Sequence, residues 1–122
     1  MESGELKKKN NIQERTLEFA VDIINFSQLI PKNAVGSVVT KQIVRSGTSI
    51  GSNTQEANDA SSRKDFIQKL LIALREARET HYWLSVIIKS GIVESNNVEP
   101  YLKEVNELIA ILVTIIKKAK TT

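Results

Sequence analysis

Apolar residues in this chain recur every three or four positions along most of its length, and nowhere do they alternate over a sustained stretch. A spacing of three or four places side chains on one face of a helix, whereas alternation is typical of strands. The chain has only two prolines, Pro31 and Pro100, and no Asn-Gly hairpin signal. We therefore predict four helices and no sheet.

The predicted helices are bounded by residues that end or begin helices readily. Pro31 ends the first, because the residue before a proline is pushed out of the helical region. Ser61 or Ser62 can cap the third helix, and Gly91 can stop it. The predicted helices cover 11–30, 33 or 34 to 59, 63–89, and 96 or 97 to 119.

Short loops between four helices favour antiparallel neighbours. The predicted fold class is therefore all-α, an antiparallel up-down-up-down four-helix bundle. We expect this single domain to occupy residues 11–119. Residues 1–10, which include three consecutive lysines, are expected to form a flexible basic N-terminal arm.

The second helix is predicted to continue through Gly47 and Gly51, although each glycine costs a helix about 1 kcal/mol relative to alanine. The apolar spacing runs through both positions without a break. Such small residues let another helix approach closely. Three polar residues are predicted at the bundle core. One of them is Asn53, and we expect its amide to hydrogen-bond inside the bundle, because a buried amide without a partner would cost ~1–3 kcal/mol. The three polar residues are Ser46, Asn53 and His81.

The composition removes most classes of catalytic site. The chain has no cysteine and one histidine, which excludes disulfides, thiol nucleophiles and multi-histidine zinc sites. No Glu-x-x-His pair of the di-iron bundle type is present. We predict a non-enzyme without metal or cofactor. The chain also lacks an apolar run of ~18 residues and a signal peptide, so we expect a cytoplasmic protein and no membrane partner.

A second apolar surface predicts self-association. Ile72 and Trp83 are eleven residues apart, so they align on one side of the third helix, away from its core stripe, with Ile87 nearby. The first helix also carries more apolar surface than one core face needs. Exposed tryptophan is typical of interfaces. The predicted homo-oligomer interface comprises Leu17, Val21, Ile24, Ile72, Trp83 and Ile87.

A basic face on the third helix has two interpretations. Cations beside an aromatic ring can grip phosphate and stack a base. They can also pair with an acidic stripe such as Glu14, Glu18 and Asp22 of another subunit. The net charge of +3 permits either partner. The candidate nucleic-acid residues are Lys64, Arg75, Arg78 and Tyr82, with Lys117, Lys118 and Lys120 as accessory charge.

The chain resembles the 23S ribosomal RNA intervening-sequence proteins. The resemblance lies in the run RSGTSIGSNTQEA at 45–57, in SRKDF at 62–66 and in LLIALREARETHYWL at 70–84. The stretch REARET differs from the commoner form of the family and resembles a recognised branch of it. This resemblance implies a bacterial four-helix bundle without known catalysis. Related bundles assemble as pentameric rings and bind nucleic acid, so it implies a homopentamer with RNA or DNA as a partner.

Two functions stay open at this point. One is a nucleic-acid-binding accessory protein, and the other is an oligomeric protein-interaction scaffold with no nucleic-acid role. The position of the basic residues in the assembled oligomer discriminates between them. A continuous basic rim favours nucleic acid, whereas cations used in ion pairs between subunits favour the scaffold.

Overall fold

A computed structural model of the chain describes residues 11–121 and contains four α-helices. No strand occurs among these residues, so the all-α prediction is confirmed. The predicted N-terminal arm lies outside the described residues. The helices are α1 (Ile12–Ser27), α2 (Ala34–Asn58), α3 (Arg63–Ser90) and α4 (Ser95–Thr121).

Side-chain caps fix where three of the helices begin. Asn11 accepts hydrogen bonds from the amides of the first turn of α1, and Asn33 accepts one from Gly36 at the start of α2. Ser62 caps α3 by accepting from the Asp65 amide at 3.1 Å. Gly91 ends α3 with a φ of 75°, a left-handed conformation that favours glycine. The caps therefore explain why most predicted boundaries agree with the structure within two residues.

α1 ends earlier than the sequence indicated. Its last helical residue is Ser27, and the following residues form tight turns, such as Ile30 donating to the Ser27 carbonyl at 3.1 Å. α4 begins one or two residues earlier than predicted, at Ser95, which places Pro100 in its second turn. Neither difference changes the order of the elements.

Each helix packs against the next one along the chain, and α4 closes the bundle by a smaller contact with α1. At this contact Arg15 donates two hydrogen bonds to Glu104, and the ring centroids of Phe26 and Tyr101 lie 4.9 Å apart. The arrangement is compatible with up-down topology. The largest fully buried side chains are Phe19, Phe26, Ile23, Ile43, Ile50, Leu84, Ile87, Leu108 and Leu112.

α2 runs without a break through both internal glycines, as predicted. A Cβ atom on Gly47 would lie 2.9 Å from the Ile23 Cγ2 atom, and one on Gly51 would lie 3.1 Å from the Thr16 carbonyl oxygen. At Gly47 a side chain would force Ile23 to move, and at Gly51 a Cβ atom would be in tight contact with the α1 backbone, so the glycines allow α1 to approach the α2 backbone closely. The predicted reason for small residues in this segment is confirmed.

Paired hydroxyl groups take the buried polar positions between helices. The Thr16 and Thr54 hydroxyl oxygens lie 3.0 Å apart, and the Thr80 hydroxyl donates to the Ser46 Oγ at 2.9 Å. The prediction that Asn53 is a polar core residue bonding inside the bundle is wrong. Its side chain is only half-buried and donates to the Ser49 carbonyl of its own helix.

α3 is rotated about its axis relative to the prediction, which placed His81 at the bundle core. Thr80 and Ile87 are completely buried, whereas His81 and Ile88 are only half-buried. The Thr80 hydroxyl finds an acceptor on Ser46, so a small polar side chain can turn inward against α2. Two predictions are corrected by this rotation: His81 is not a core residue, and Ile87 belongs to the bundle core, where it offers no surface to another subunit.

Candidate nucleic-acid and assembly surfaces

The middle of α3 exposes a surface that we name the arginine face, formed by Arg75, Arg78 and Tyr82. Both arginines are exposed, and 58 % of Tyr82 is accessible to solvent. Neither arginine forms an ion pair with another described residue. The arginine face is therefore able to offer its hydrogen-bond donors to a partner outside the monomer.

The single arginines of α1 and α2 form ion pairs between helices of the bundle. Arg15 pairs with Glu104 and Glu107, which joins α1 to α4. Arg45 bridges α2 to α3 by pairing with Glu76 at 3.3 Å and with Glu79. Hydrogen bonding to the Glu79 carboxylate raises the pKa of the Arg45 guanidinium. The two arginines of the arginine face thus differ from Arg15 and Arg45, because they have no ion pair among the described residues.

A second group of cations gathers at the end of the bundle where α3 begins and α4 ends. Arg63 and Lys118 line one shallow cleft there, together with Phe66, Ile115 and Ala119. Lys64, Lys117 and Lys120 are exposed on the same terminal turns. The structure thus divides the predicted nucleic-acid residues into the arginine face and a bundle-end cluster. We define the bundle-end cluster as Arg63, Lys64, Lys117, Lys118 and Lys120.

The sequence interpretation missed Arg63. Its position on the α3 helical wheel differs from that of Lys64, and only the packing of α3 against α4 brings it beside Lys118. The adjacent Arg63-Lys64 pair was the available signal. Arg63, Lys64, Lys117 and Lys120 form no ion pair with any residue in 11–121.

Apart from the buried Ile87, the predicted interface residues lie on two exposed or half-exposed surfaces. Leu17, Val21 and Ile24 form an apolar stripe on α1, with 62 % of Leu17 exposed. Ile72 and Trp83 are half-buried on α3. The Trp83 ring meets Tyr82 edge to face at 5.2 Å, and its indole N–H donates to the Glu79 carboxylate at 3.4 Å. The two surfaces do not contact each other within one chain, because they belong to helices that do not pack together.

The described part of the chain shows no candidate metal site. Residues 11–121 contain no group of three or more His, Asp or Glu side chains close enough to hold a metal ion. Within the same range, every buried side-chain nitrogen or oxygen has a hydrogen-bond partner. None of the four helices combines the length and apolarity needed to cross a bilayer.

These features define the class of protein as an all-helical bundle with an unpaired basic surface and an exposed apolar stripe. The chain belongs to the family of 23S rRNA-intervening sequence proteins, whose family model matches residues 8–114. This confirms the resemblance found in the sequence.

A solved structure supports the same assignment. It is a protein of unknown function from the S23 ribosomal protein family of Bacteroides thetaiotaomicron, and it is 43 % identical to this chain. The two structures superpose with a TM-score of 0.82 over 87 % of this chain and 98 % of the other. No curated protein matches the chain. Neither the family description nor that of the solved structure names an enzymatic activity.

Proposed function

We propose that this chain is a non-enzymatic cytoplasmic accessory protein that binds RNA or DNA as a homo-oligomer. The bundle-end cluster carries the proposal, because it concentrates five cations at one end of the bundle. Asp59 and Asp65 lie at the same end and reduce its excess of positive charge, while the opposite end mixes lysines with Glu94 and Glu99.

Phosphate contacts supply most of the affinity in sequence-independent binding, and each one releases counterions. Five cations in one subunit support only weak binding. A ring of parallel subunits would place every bundle-end cluster on one side of the assembly, where a single strand can reach several of them. Linked sites raise avidity without any new contact. The number of subunits, five, follows from the family resemblance alone.

The test removes charge from one end of the bundle and not from the other. The variant Lys117→Gln, Lys118→Gln, Lys120→Gln loses three cations from the bundle-end cluster. We expect weaker binding to single-stranded RNA in gel-shift titrations. The slope of log affinity against log salt should flatten by about 2 for each subunit engaged, since each phosphate contact on a single strand contributes ~0.7.

A matched control carries the same loss of net charge elsewhere. Lys32, Lys41 and Lys89 are exposed, lie towards the opposite end and form no ion pair among the described residues. Their triple replacement by glutamine should leave the salt slope nearly unchanged. Equal losses in the two variants would show that only net charge matters and would contradict a defined site.

The protein-interaction scaffold is the second candidate function. The observation in its favour is the exposed α1 stripe, which suits a protein partner better than a polyanion. If gel shifts at ~50 mM salt show no binding to structured RNA, single-stranded RNA or DNA, the scaffold becomes the better function. The arginine face offers Arg75 and Arg78 as hydrogen-bond donors to phosphate, but its position on α3 fits a contact between subunits more closely.

A further inference from the structure

The outer surface of α1 carries two rows of side chains side by side. One is the apolar stripe of Leu17, Val21 and Ile24, and the other is an acidic row of Glu14, Glu18 and Asp22. Seen from the N-terminal end of a right-handed helix, successive residues turn clockwise by about 100°. The acidic row therefore lies clockwise of the apolar stripe.

The outer surface of α3 carries two complementary rows in the reverse order. Arg78 and Arg75 come first, and Ile72 and Trp83 lie clockwise of them. Glu79 lies between the rows, where Arg45 and the Trp83 indole already bond to its carboxylate. The α3 surface thus pairs a cationic flank with an apolar flank.

The order of the rows selects one relative orientation. When two parallel helices face each other, the clockwise flank of one meets the anticlockwise flank of the other. In that orientation the acidic row of α1 meets the arginines of α3, and the apolar stripe meets Ile72 and Trp83. In the antiparallel orientation the acidic row would lie against Trp83 and Glu79. Charge complementarity therefore favours the parallel orientation.

The heights of the two surfaces along the bundle also agree. Thr16 on α1 lies opposite Thr54 on α2, and Ser46 lies opposite Thr80 on α3. Thr54 is eight residues after Ser46 on α2. Because α3 is antiparallel to α2, the same height on α3 is eight residues before Thr80, at Ile72. Thr16, which lies opposite Thr54, is therefore about level with Ile72. α1 and α3 run in the same direction, so this offset applies along both helices.

The offset places Glu18 next to the level of Arg75 and Asp22 at the level of Arg78. Cyclic symmetry involves rotation without translation, so residues that meet in a ring must lie at the same height in their own subunits. The α1 and α3 surfaces satisfy this condition without any axial shift.

We propose that α1 of one copy docks in parallel on α3 of the next copy, in a head-to-tail contact that closes a ring. This inference rests on the homo-oligomer in the proposed function and names the surfaces that build it. Asp22 and Glu18, which also have interactions within their own chain, lie beside Arg78 and Arg75 respectively at the rim of the contact. The apolar stripe covers Ile72 and Trp83 at its centre, as in interfaces with an apolar core and a polar rim.

The proposal also orients the subunit in the ring. Leu17 borders a groove with Thr48, Ser52 and Gln55 of α2, and Trp83 is tied through Glu79 to Arg45 of α2. Both apolar surfaces therefore lean towards the α2 side, and the ring closes with α2 facing its axis. The bundle-end clusters lie together on one side of the ring.

Cross-linking tests which surfaces meet. Because the chain has no cysteine, Glu18→Cys and Arg75→Cys each introduce a single thiol. The two variants, one of them tagged, are mixed and treated with a short bismaleimide. We expect cross-links between the two variants and almost none between copies of Glu18→Cys. The control pair, Glu18→Cys with Lys103→Cys on the outer face of α4, should remain unlinked.

Charge reversal provides a second measurement on the whole protein. Asp22→Arg or Arg78→Asp alone should shift the mass in light scattering towards monomer at micromolar concentration. The double variant should recover the wild-type mass. Circular dichroism confirms that each variant is folded, which is expected because both positions are exposed.

The outcomes separate this inference from the proposed function. A wild-type oligomer that gives no link between positions 18 and 75, or links Glu18→Cys mainly to itself, overturns the docking contact and leaves the oligomer intact. A wild-type monomer overturns both. Gel-shift binding to RNA is measured independently, and its absence overturns the nucleic-acid role alone.

Discussion

Replacing Gly36 with alanine tests how tightly the start of α2 packs on the preceding turn. Gly36 is buried in the first turn of α2. A Cβ atom added there would lie 1.7 Å from the carbonyl oxygen of Pro31 and 2.9 Å from its carbonyl carbon. Because the obstacle is backbone, it cannot rotate away as a side chain would, and the turn or the helix must move.

The expected loss of stability follows from three contributions. An ordinary carbon–oxygen contact is about 3.3 Å, so the backbone must shift by about 1.5 Å. Overpacking of this kind costs ~1–3 kcal/mol, and a rigid obstacle places it near the upper limit. The shift also strains the Asn33 cap, whose loss costs ~1 kcal/mol. Alanine regains ~1 kcal/mol of helix propensity. The free energy of unfolding should fall by about 2–3 kcal/mol.

Urea denaturation followed by circular dichroism measures this loss, with two variants of α2 as controls. Ala34→Gly, at an exposed position, should cost no more than about 1 kcal/mol, because only helix propensity changes. Gly51→Ala should change stability little, since its 3.1 Å contact with the Thr16 carbonyl offsets the gain in propensity. If Gly36→Ala is as stable as the wild type, the geometry of this turn is wrong.

Two further predictions concern the buried hydroxyls and the assembly. Thr80→Val should cost ~1 kcal/mol, because the Ser46 Oγ loses the donor from α3. Adding Ser46→Ala should cost little more in a double-mutant cycle, and additive losses would contradict the pairing. Val21→Glu should yield folded monomers in light scattering, whereas Trp83→Glu should also lower thermal stability, because Trp83 packs against the core. Unchanged mass for Val21→Glu would count against an α1 interface.

The sequence by itself determined the number of helices, most of their boundaries and the continuity of α2. These properties are local. The spacing of apolar residues repeats within each helix, and the caps at Asn33, Ser62 and Gly91 act on the first or last turn of their own element. The role of Gly47 and Gly51 could also be predicted, because small residues within a continuous apolar stripe indicate close packing of another helix.

Tertiary structure decided which of two neighbouring positions faces inward. Successive residues are separated by only about 100° around the helix axis. Two such pairs span the edge of the apolar arc: Thr80 with His81, and Asn53 with Thr54. The choice depends on the partner helix: Ser46 accepts from Thr80, and Thr16 meets Thr54. A hydroxyl on a short side chain can be satisfied in that narrow space, whereas an amide or an imidazole needs more room.

The grouping of the charges was likewise decided by packing. The sequence placed the candidate cations in one set, and the structure separates the arginine face from the bundle-end cluster and adds Arg63 to the latter. The side chains of Arg15 and Arg45 look equivalent to those of Arg75 and Arg78 in the sequence, yet glutamates on neighbouring helices neutralise only the first two. Ion pairing depends on distances between helices, and no spacing within one helix specifies them.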